Sequence, residues 1–491
     1  VVSIILMMAL LASMAACSKE EDAGESSETT GTTSETTETA TEGTTETSET
    51  TEEVSLPPMT TENITLTYSS WENEALSKYL ADAFMAKYPN ITVEILALPL
   101  DGYNDNLVNL AGAGNLPDVF WYLGNVDIPI RNGWLGDMTE WFESDPETPE
   151  ILDSLRVQGY FDGEHKLAAP GKFLPYTVFL DKKLFEKMNV AMPSADWTYS
   201  EMLELMKTMT VPEQGIFGYN TFTQIFTMAP IVENDAFGEF GWDGEKYDMT
   251  GSWAEALNQH AEFIRTKVHS PFFDTDEAEA AFGDRLLWAA ETGKLAMQLD
   301  AFWTINYFSQ QVFKDKGIEW VPYPVPKGDN ATTENKPAFV DFGAISSVTE
   351  YPREAYELLK FMTWGKEGWG HKFTAYETLV NEDGSKVFTY TDNLPINGSE
   401  ELWTRVADFL PDTPEMKEFL KHVKNPVPLG GASQPGFQTF LDEVYFGGEY
   451  GNIEAAVIAG TVNANDVAQE MTEKLNQIRQ ETLDELFLLT N

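Results

Sequence analysis

A mixed α/β fold with mostly parallel sheets is predicted by three features of this sequence. Between positions 62 and 122 the apolar pattern reads strand, helix, strand, helix, strand, an order that right-handed crossovers turn into a parallel sheet. The third strand, Leu116 to Tyr122, is apolar with little alternation, as in a strand covered on both faces. A single cysteine in 491 residues cannot form an intramolecular disulfide, so the fold has to rest on packing. The length allows about two to four domains at roughly 100–200 residues each.

Each element has its own local reason. Ile64-Thr65-Leu66-Thr67-Tyr68 alternates apolar and polar residues and predicts the first strand. Leu76, Tyr79, Leu80, Ala83, Phe84 and Tyr88 share one helical face, and Pro89-Asn90 stops that helix. Ile91, Val93 and Ile95 begin a second strand, and Tyr103 to Ala111 is helical, closed by Gly112 and Gly114. Ala169-Pro170 and Leu174-Pro175 bracket a crossing into a second lobe, followed by a strand over Tyr176 to Leu180. Thr198 stands three residues before Glu201, a capping box that opens a helix with Met202, Leu203, Met206 and Met209 inward. A long helix spans about Ser252 to Lys267, and a glycine-led strand runs from Gly293 to Asp300, ending near Trp303. Lys336 to Ser346 reads as a strand, and Pro352 starts a helix through Ala355, Tyr356, Leu359 and Met362. The C-terminal end is helical, with Val467, Met471, Leu475 and Ile478 in register. In parallel sheets ligands bind beyond the carboxyl ends of the strands. Those ends carry Ser70-Trp71-Glu72-Asn73 and Trp121-Tyr122-Leu123-Gly124-Asn125.

Residues 1–17 are uncharged, apolar up to Leu11, and small just before Cys17. The stretch is shorter than the roughly 20 residues a spanning helix needs and is patterned as a secretory signal peptide. The missing initiating Met and basic start suggest that the chain as given is truncated there. Ser13-Met14-Ala15-Ala16-Cys17 resembles the bacterial lipobox, in which a peptidase cuts before a cysteine that receives lipid, so lipidation is expected at Cys17. Residues 18–55 are expected to be a disordered linker, since 26–53 is almost wholly Ser, Thr and Glu and cannot bury enough apolar surface to offset chain entropy. The chain carries 31 Lys+Arg against 80 Asp+Glu, a formal charge of −49 that repels phosphate backbones and anionic headgroups. Nucleic acid is thereby excluded as a partner, and the membrane is touched only through the lipid.

Five phrases occur in an order that resembles family 1 extracellular solute-binding lipoproteins of ABC importers, the group that includes sugar-binding proteins. They are Leu116-Pro117-Asp118-Val119, then Asn132 to Thr139, Leu180 to Glu186 with Trp197-Thr198, Gly293 to Met297 with Trp303, and Phe342-Gly343-Ala344-Ile345-Ser346. Leu180-Asp181 departs from the family's Tyr-Asn, and 376–450 carries no matching phrase. The resemblance implies a two-lobed, periplasmic-binding-protein-like fold with hinge strands. One lobe would hold 62–172 plus 300–347, the other 173–299 plus 348–491. A carbohydrate, mono- or oligosaccharide, would be captured in the cleft and delivered to a membrane permease at the extracellular face of the cytoplasmic membrane, by a monomer without cofactor or metal.

Carried over by position, the resemblance places Trp71, Glu72 and Asn73 in the first ligand-contact loop and Tyr122 and Asn125 in the next. Trp303 matches a stacking platform with Asp300 just before it. Tyr176, Trp242 and Tyr247 belong to the second lobe, and at Gly343 the backbone could approach the ligand. Sugar rings pack their apolar faces on indole or phenol, while their hydroxyls need directional partners. Most of the thirteen Trp and thirty Phe are nonetheless expected in the core, and Asp118 is expected to be structural. No zinc spacing among His165, His260, His269, His371 and His422, no nucleophile elbow and no phosphate loop are present, so catalysis is not expected. Asp274 to Glu277 and Asn381 to Gly384 read as solvated turns rather than calcium loops. A non-sugar solute (polyol, polyamine or, less readily, sugar phosphate) and a surface glycoside hydrolase remain as alternatives.

Overall fold

The computed structural model describes residues 56–122, 124–220, 226–233, 238–429 and 434–488. The signal peptide with Cys17 and the 18–55 linker lie outside the described residues. The first elements are β1 (Ile64–Ser69), α1 (Glu74–Lys87), β2 (Ile91–Ile95), α2 (Tyr103–Gly112) and β3 (Val119–Tyr122), in the expected order. β1 pairs in parallel with both β2 and β3. β3 begins later than Leu116. Pro117 has no N–H for a ladder, and Asp118 turns its carboxylate to β1, where Oδ2 accepts from the Thr67 N–H and hydroxyl at 2.8 Å each. Asp118 is thus held structurally, by Thr349 Oγ1 as well, at 2.6 Å.

β4 (Ala169–Asp181) is one strand of 13 residues where a crossing and a separate strand were expected. The remaining strands are β5 (Phe217–Tyr219), β6 (Leu295–Ala301), β7 (Trp320–Pro324), β8 (Lys336–Ile345) and β9 (Pro426–Pro428). Up to Pro175, opposite Ala338, β4 pairs antiparallel with β8. From Tyr176 onward it exchanges that neighbour for β6 and β7. One chain of strands therefore runs β2-β1-β3-β8-β4-β6-β5, and β4 joins its two halves. β5, β7 and β9 were not foreseen: each is short, and β7 and β9 carry two prolines each, so periodicity has nothing to register.

The longer helices that follow are α3 (Tyr199–Thr208), α4 (Ser252–Arg265), α5 (Pro352–Met362), α6 (Lys366–Thr378) and α7 (Ala464–Leu488). Both bonds of the expected capping box open α3, Thr198 N–H to Glu201 at 2.9 Å and Glu201 N–H to Thr198 Oγ1 at 3.3 Å. Its Met202 and Met206 join Val178, Trp253, Leu299, Phe440 and Met471 in a core at the β6 end of the sheet.

Two placements differ from the expected lobes. α5 and α6 follow residue 348 but pack at the β1 end: Phe361 stands 5.4 Å from Phe84, and Tyr88 donates to Glu357 at 3.1 Å. The cause is where the chain leaves β8, at Ile345 opposite Val119 of β3, so the buried face of α5 covers that part of the sheet. Conversely β7, expected with the first lobe, pairs with the 177–181 half of β4.

Candidate functional site

Phe339, Asp341 and Gly343 alternate along one face of β8, at about 7 Å per pair of residues. Each carries a tryptophan. The Trp303 ring stands edge-on to Phe339 at 5.4 Å, Trp71 donates its indole N–H to Asp341 at 3.0 Å, and Trp121 lies against Gly343. The missing side chain at Gly343 makes room within the protein, since a Cβ there would meet Leu359 Cδ1 at 2.7 Å and Trp121 Cδ1 at 3.0 Å. Trp71 rests half-buried on Trp121 and Tyr103, edge to face at 5.1 Å from each.

Beside Trp71 lies a charge cluster. Lys172 on β4, opposite Asp341, pairs with Glu72 at 3.2 Å and Asp392 at 3.1 Å. Burial alone would lower its ammonium; the Asp392, Glu72 and Asp341 carboxylates overcome that and raise it above the ordinary lysine value. Burial pushes the Asp341 carboxyl up to about 7, against the pull of Lys172 and the Trp71 N–H. Lys372, buried nearby, is lowered by burial to about 8. Glu72 is 7% exposed at its side chain, and its Oε2 meets no donor among the described residues.

The second group gathers at the far end of β4. Asp300, next to last in β6, is almost fully buried; its Oδ1 accepts from the Ala301 N–H at 2.8 Å, while Oδ2 has no partner among the described residues. Burial lifts its carboxyl to about 7, opposed by that amide and by the Trp303 side chain. Tyr176 sits opposite Ala301, and burial, then the Glu239 and Asp300 carboxylates, raise its hydroxyl. Burial, aided by Glu239 and opposed by Arg479, raises the Tyr247 hydroxyl, and its ring lies tilted at 4.8 Å to Trp242; Arg479 covers the Trp242 ring at 4.6 Å.

Trp71, Glu72 and Gly343 thus come together around Asp341, and Trp303 and Phe339 join them on the same face. Tyr176 and Asp300 form the second group, to which Trp242 and Tyr247 connect through Glu239. Three expected residues are engaged elsewhere. Asn73 caps α1 by accepting from the Leu76 N–H at 3.2 Å, and Asn125 accepts from the Asp127 N–H at 2.9 Å. Tyr122 is buried against Phe342 at 6.2 Å, on the face of β8 opposite to Trp303. Sequence reasoning missed Lys172, Asp341, Asp392 and Glu239. For Lys172 and Asp341 a signal existed, a charge inside an otherwise apolar strand.

Among the described residues, Asp196, Glu334 and His422 bring one ligand atom each within 4.8 Å, but Lys327 and Lys336 already neutralise the two carboxylates, at 2.5 Å and 3.6 Å. The two acidic turns make local contacts, Asp274 with Arg285 and Asp383 with Ser385.

The family profile described as bacterial extracellular solute-binding protein matches residues 69–363. No curated protein matches the sequence significantly. Among solved structures, an ABC substrate-binding protein from Listeria monocytogenes in complex with cycloalternan is similar at 17% identity and TM-score 0.61, covering 85% of this chain and 99% of that one. The cyclic alpha-maltosyl-1,6-maltose binding protein of Arthrobacter globiformis is similar at 15% identity and TM-score 0.63, again over 85% and 99%. A receptor of Streptomyces glaucescens, solved unliganded and with acarbose, gives 18% identity and TM-score 0.57 over 85% and 99%. At these identities the likeness is one of fold.

Proposed function

The chain belongs to the bacterial extracellular solute-binding protein family, and from that premise we propose that it captures a carbohydrate between its two lobes for an ABC importer. The observation that carries the proposal is the pairing of half-buried indoles with buried, partly unsatisfied carboxylates. Trp71 precedes Glu72, whose Oε2 meets no donor among the described residues, and the Trp303 side chain acts on the Asp300 carboxyl, whose Oδ2 meets none. A sugar offers apolar C–H faces to such rings and hydroxyl donors to such oxygens, and a buried acceptor left unpaired costs about 1–3 kcal/mol. A ligand with hydroxyl donors relieves that cost while its C–H faces cover the indoles. Lys172, Asp341 and Asp392 hold the Trp71 loop against the β4–β8 ladder, and the partner exchange at Pro175–Tyr176 is the point where hinge bending would close the lobes.

The importer reading implies a permease as partner, and the leader implies a lipid anchor at Cys17 on the outer face of the cytoplasmic membrane. Among the described residues no helix is long and apolar enough to cross a membrane.

Thermal melting of the purified chain against a panel of oligosaccharides, polyols and polyamines, with product analysis on the same samples, tests the proposal. A rise in melting temperature with an unchanged oligosaccharide is the expected result. A rise with polyamines alone would replace the ligand class, and released monosaccharide would make the protein a hydrolase.

A further inference from the structure

The end of α6, the loop over 379–390 and the turn over 407–409 meet around a cavity of about 210 Å³. None of the five family phrases lies in these segments, and the Trp71 and Trp303 face is not part of the lining. We propose that this cavity is a second carbohydrate site, sized for one hydroxyl-rich ring such as a pyranose. The inference goes beyond the cleft proposal and stands without it.

The walls are aromatic and held in place. Tyr376 forms the buried floor, with Phe388 edge-on at 5.1 Å and Phe409 at 5.7 Å; Phe409 is backed by Phe373, stacked at 5.1 Å. Phe388, Tyr390 and Phe409 are only half-buried, so part of each ring is open. Backbone bonds tie the three segments together: Val387 N–H to Leu379 O at 3.1 Å and Thr391 N–H to Phe409 O at 2.9 Å. Tyr390 is gripped twice by Asn306, which donates to its carbonyl at 3.0 Å and accepts from its N–H at 2.9 Å. Preformed walls of this kind spare a ligand the entropy of ordering them.

The polar lining selects the chemistry. Glu377, Lys386, Thr389 and Asp408 border the cavity as exposed side chains. None of them makes a side-chain hydrogen bond or ion pair with another described residue. A phosphate would face two carboxylates and a dication would face the Lys386 ammonium, whereas a neutral polyol can use all four groups as donors or acceptors. The partly exposed aromatic rings suit the C–H face of a sugar. Sites for drug-sized ligands hold roughly 300–1,000 Å³; this smaller volume fits one ring and not a chain.

Saturation-transfer NMR on the purified full chain with the methyl glycosides of glucose, galactose, mannose and xylose tests the site. Wild type should give transfer to at least one glycoside. Transfer should persist in Trp303→Ala and fall at least tenfold in Thr389→Ala/Asp408→Asn, whose exposed positions leave the fold intact, and in Phe388→Ala. Absence of transfer in wild type overturns the inference. So does transfer that vanishes in Trp303→Ala and is unchanged in Thr389→Ala/Asp408→Asn, a result that would leave the cleft proposal standing. Loss in the cavity variants alone supports the second site and leaves the cleft to be tested by oligosaccharide titration.

Discussion

Trp71 donates its indole N–H to Asp341 at 3.0 Å, across 270 positions of sequence. That bond ties the loop after β1 to β8, and it sets the indole over the same strand face that carries Trp303 through Phe339. Whatever lies on that face meets two tryptophans with acidic neighbours.

Trp303→Ala should weaken sugar binding by about 2 kcal/mol or more, the size of an aromatic hot spot. Isothermal titration with the best ligand from the melting panel measures it. Wild-type affinity in the variant would take Trp303 out of the site.

Lys172→Met should destabilise the fold by about 3 kcal/mol. Breaking a buried ion pair typically costs about 3–5 kcal/mol. The lower end applies because Asp341, already raised to about 7, can take up a proton instead of standing as a bare charge. Guanidinium unfolding at neutral pH reads the difference, and removing one of the two carboxylates left unpaired, with Glu72→Gln in the same chain, should recover part of it.

Asp300 makes stability depend on pH. Its folded value of about 7 lies above the ordinary 3.8, so the folded state holds a proton that the unfolded state releases. The stabilisation is therefore complete below about pH 4 and declines as pH rises toward 7. Asp300→Asn should flatten that decline and leave the variant more stable than wild type at pH 8, by at most about 4 kcal/mol for a shift of three units. Melting temperatures measured from pH 4 to 8 decide it; parallel curves for both proteins would show that Asp300 does not carry the effect.

Gly343→Ala should cost about 1–3 kcal/mol by overpacking. The added methyl meets Leu359 and Trp121, neither of which has free space to retreat into, since both are buried. A lowered midpoint with an unchanged denaturant slope is the expected outcome.

Cys17→Ser should release the protein from membranes into the medium if the cysteine carries the lipid. Fractionation of expressing cells with immunodetection reads the partition directly.

What the sequence disclosed depended on whether the relevant physics was local. The capping box at Thr198 and Glu201, the α1 face and the apolar β3 were visible because each signal lies within a few residues. The exchange of partners along β4 was not, because Ala338 and Ala301 are distant in sequence from Pro175 and Tyr176. The loops that carry Trp71, Glu72 and Trp303 could be read from the sequence, yet what holds these side chains could not. Asp392 comes from a segment without a matching phrase, and Glu239 reaches Tyr176 only through the fold. Asn73 and Tyr122 show the converse. A polar or aromatic residue at a strand end can serve a cap or a core as readily as a ligand.

The shared strand β4 has a consequence for engineering. Neither half of the molecule owns a complete set of strands, so a gene cut near residue 175 would yield two fragments with raw, unsatisfied ribbon edges that invite aggregation. New termini are better opened at the exposed Asp383-Gly384 tip, where no strand is divided and a reporter could be inserted without cutting the ladder.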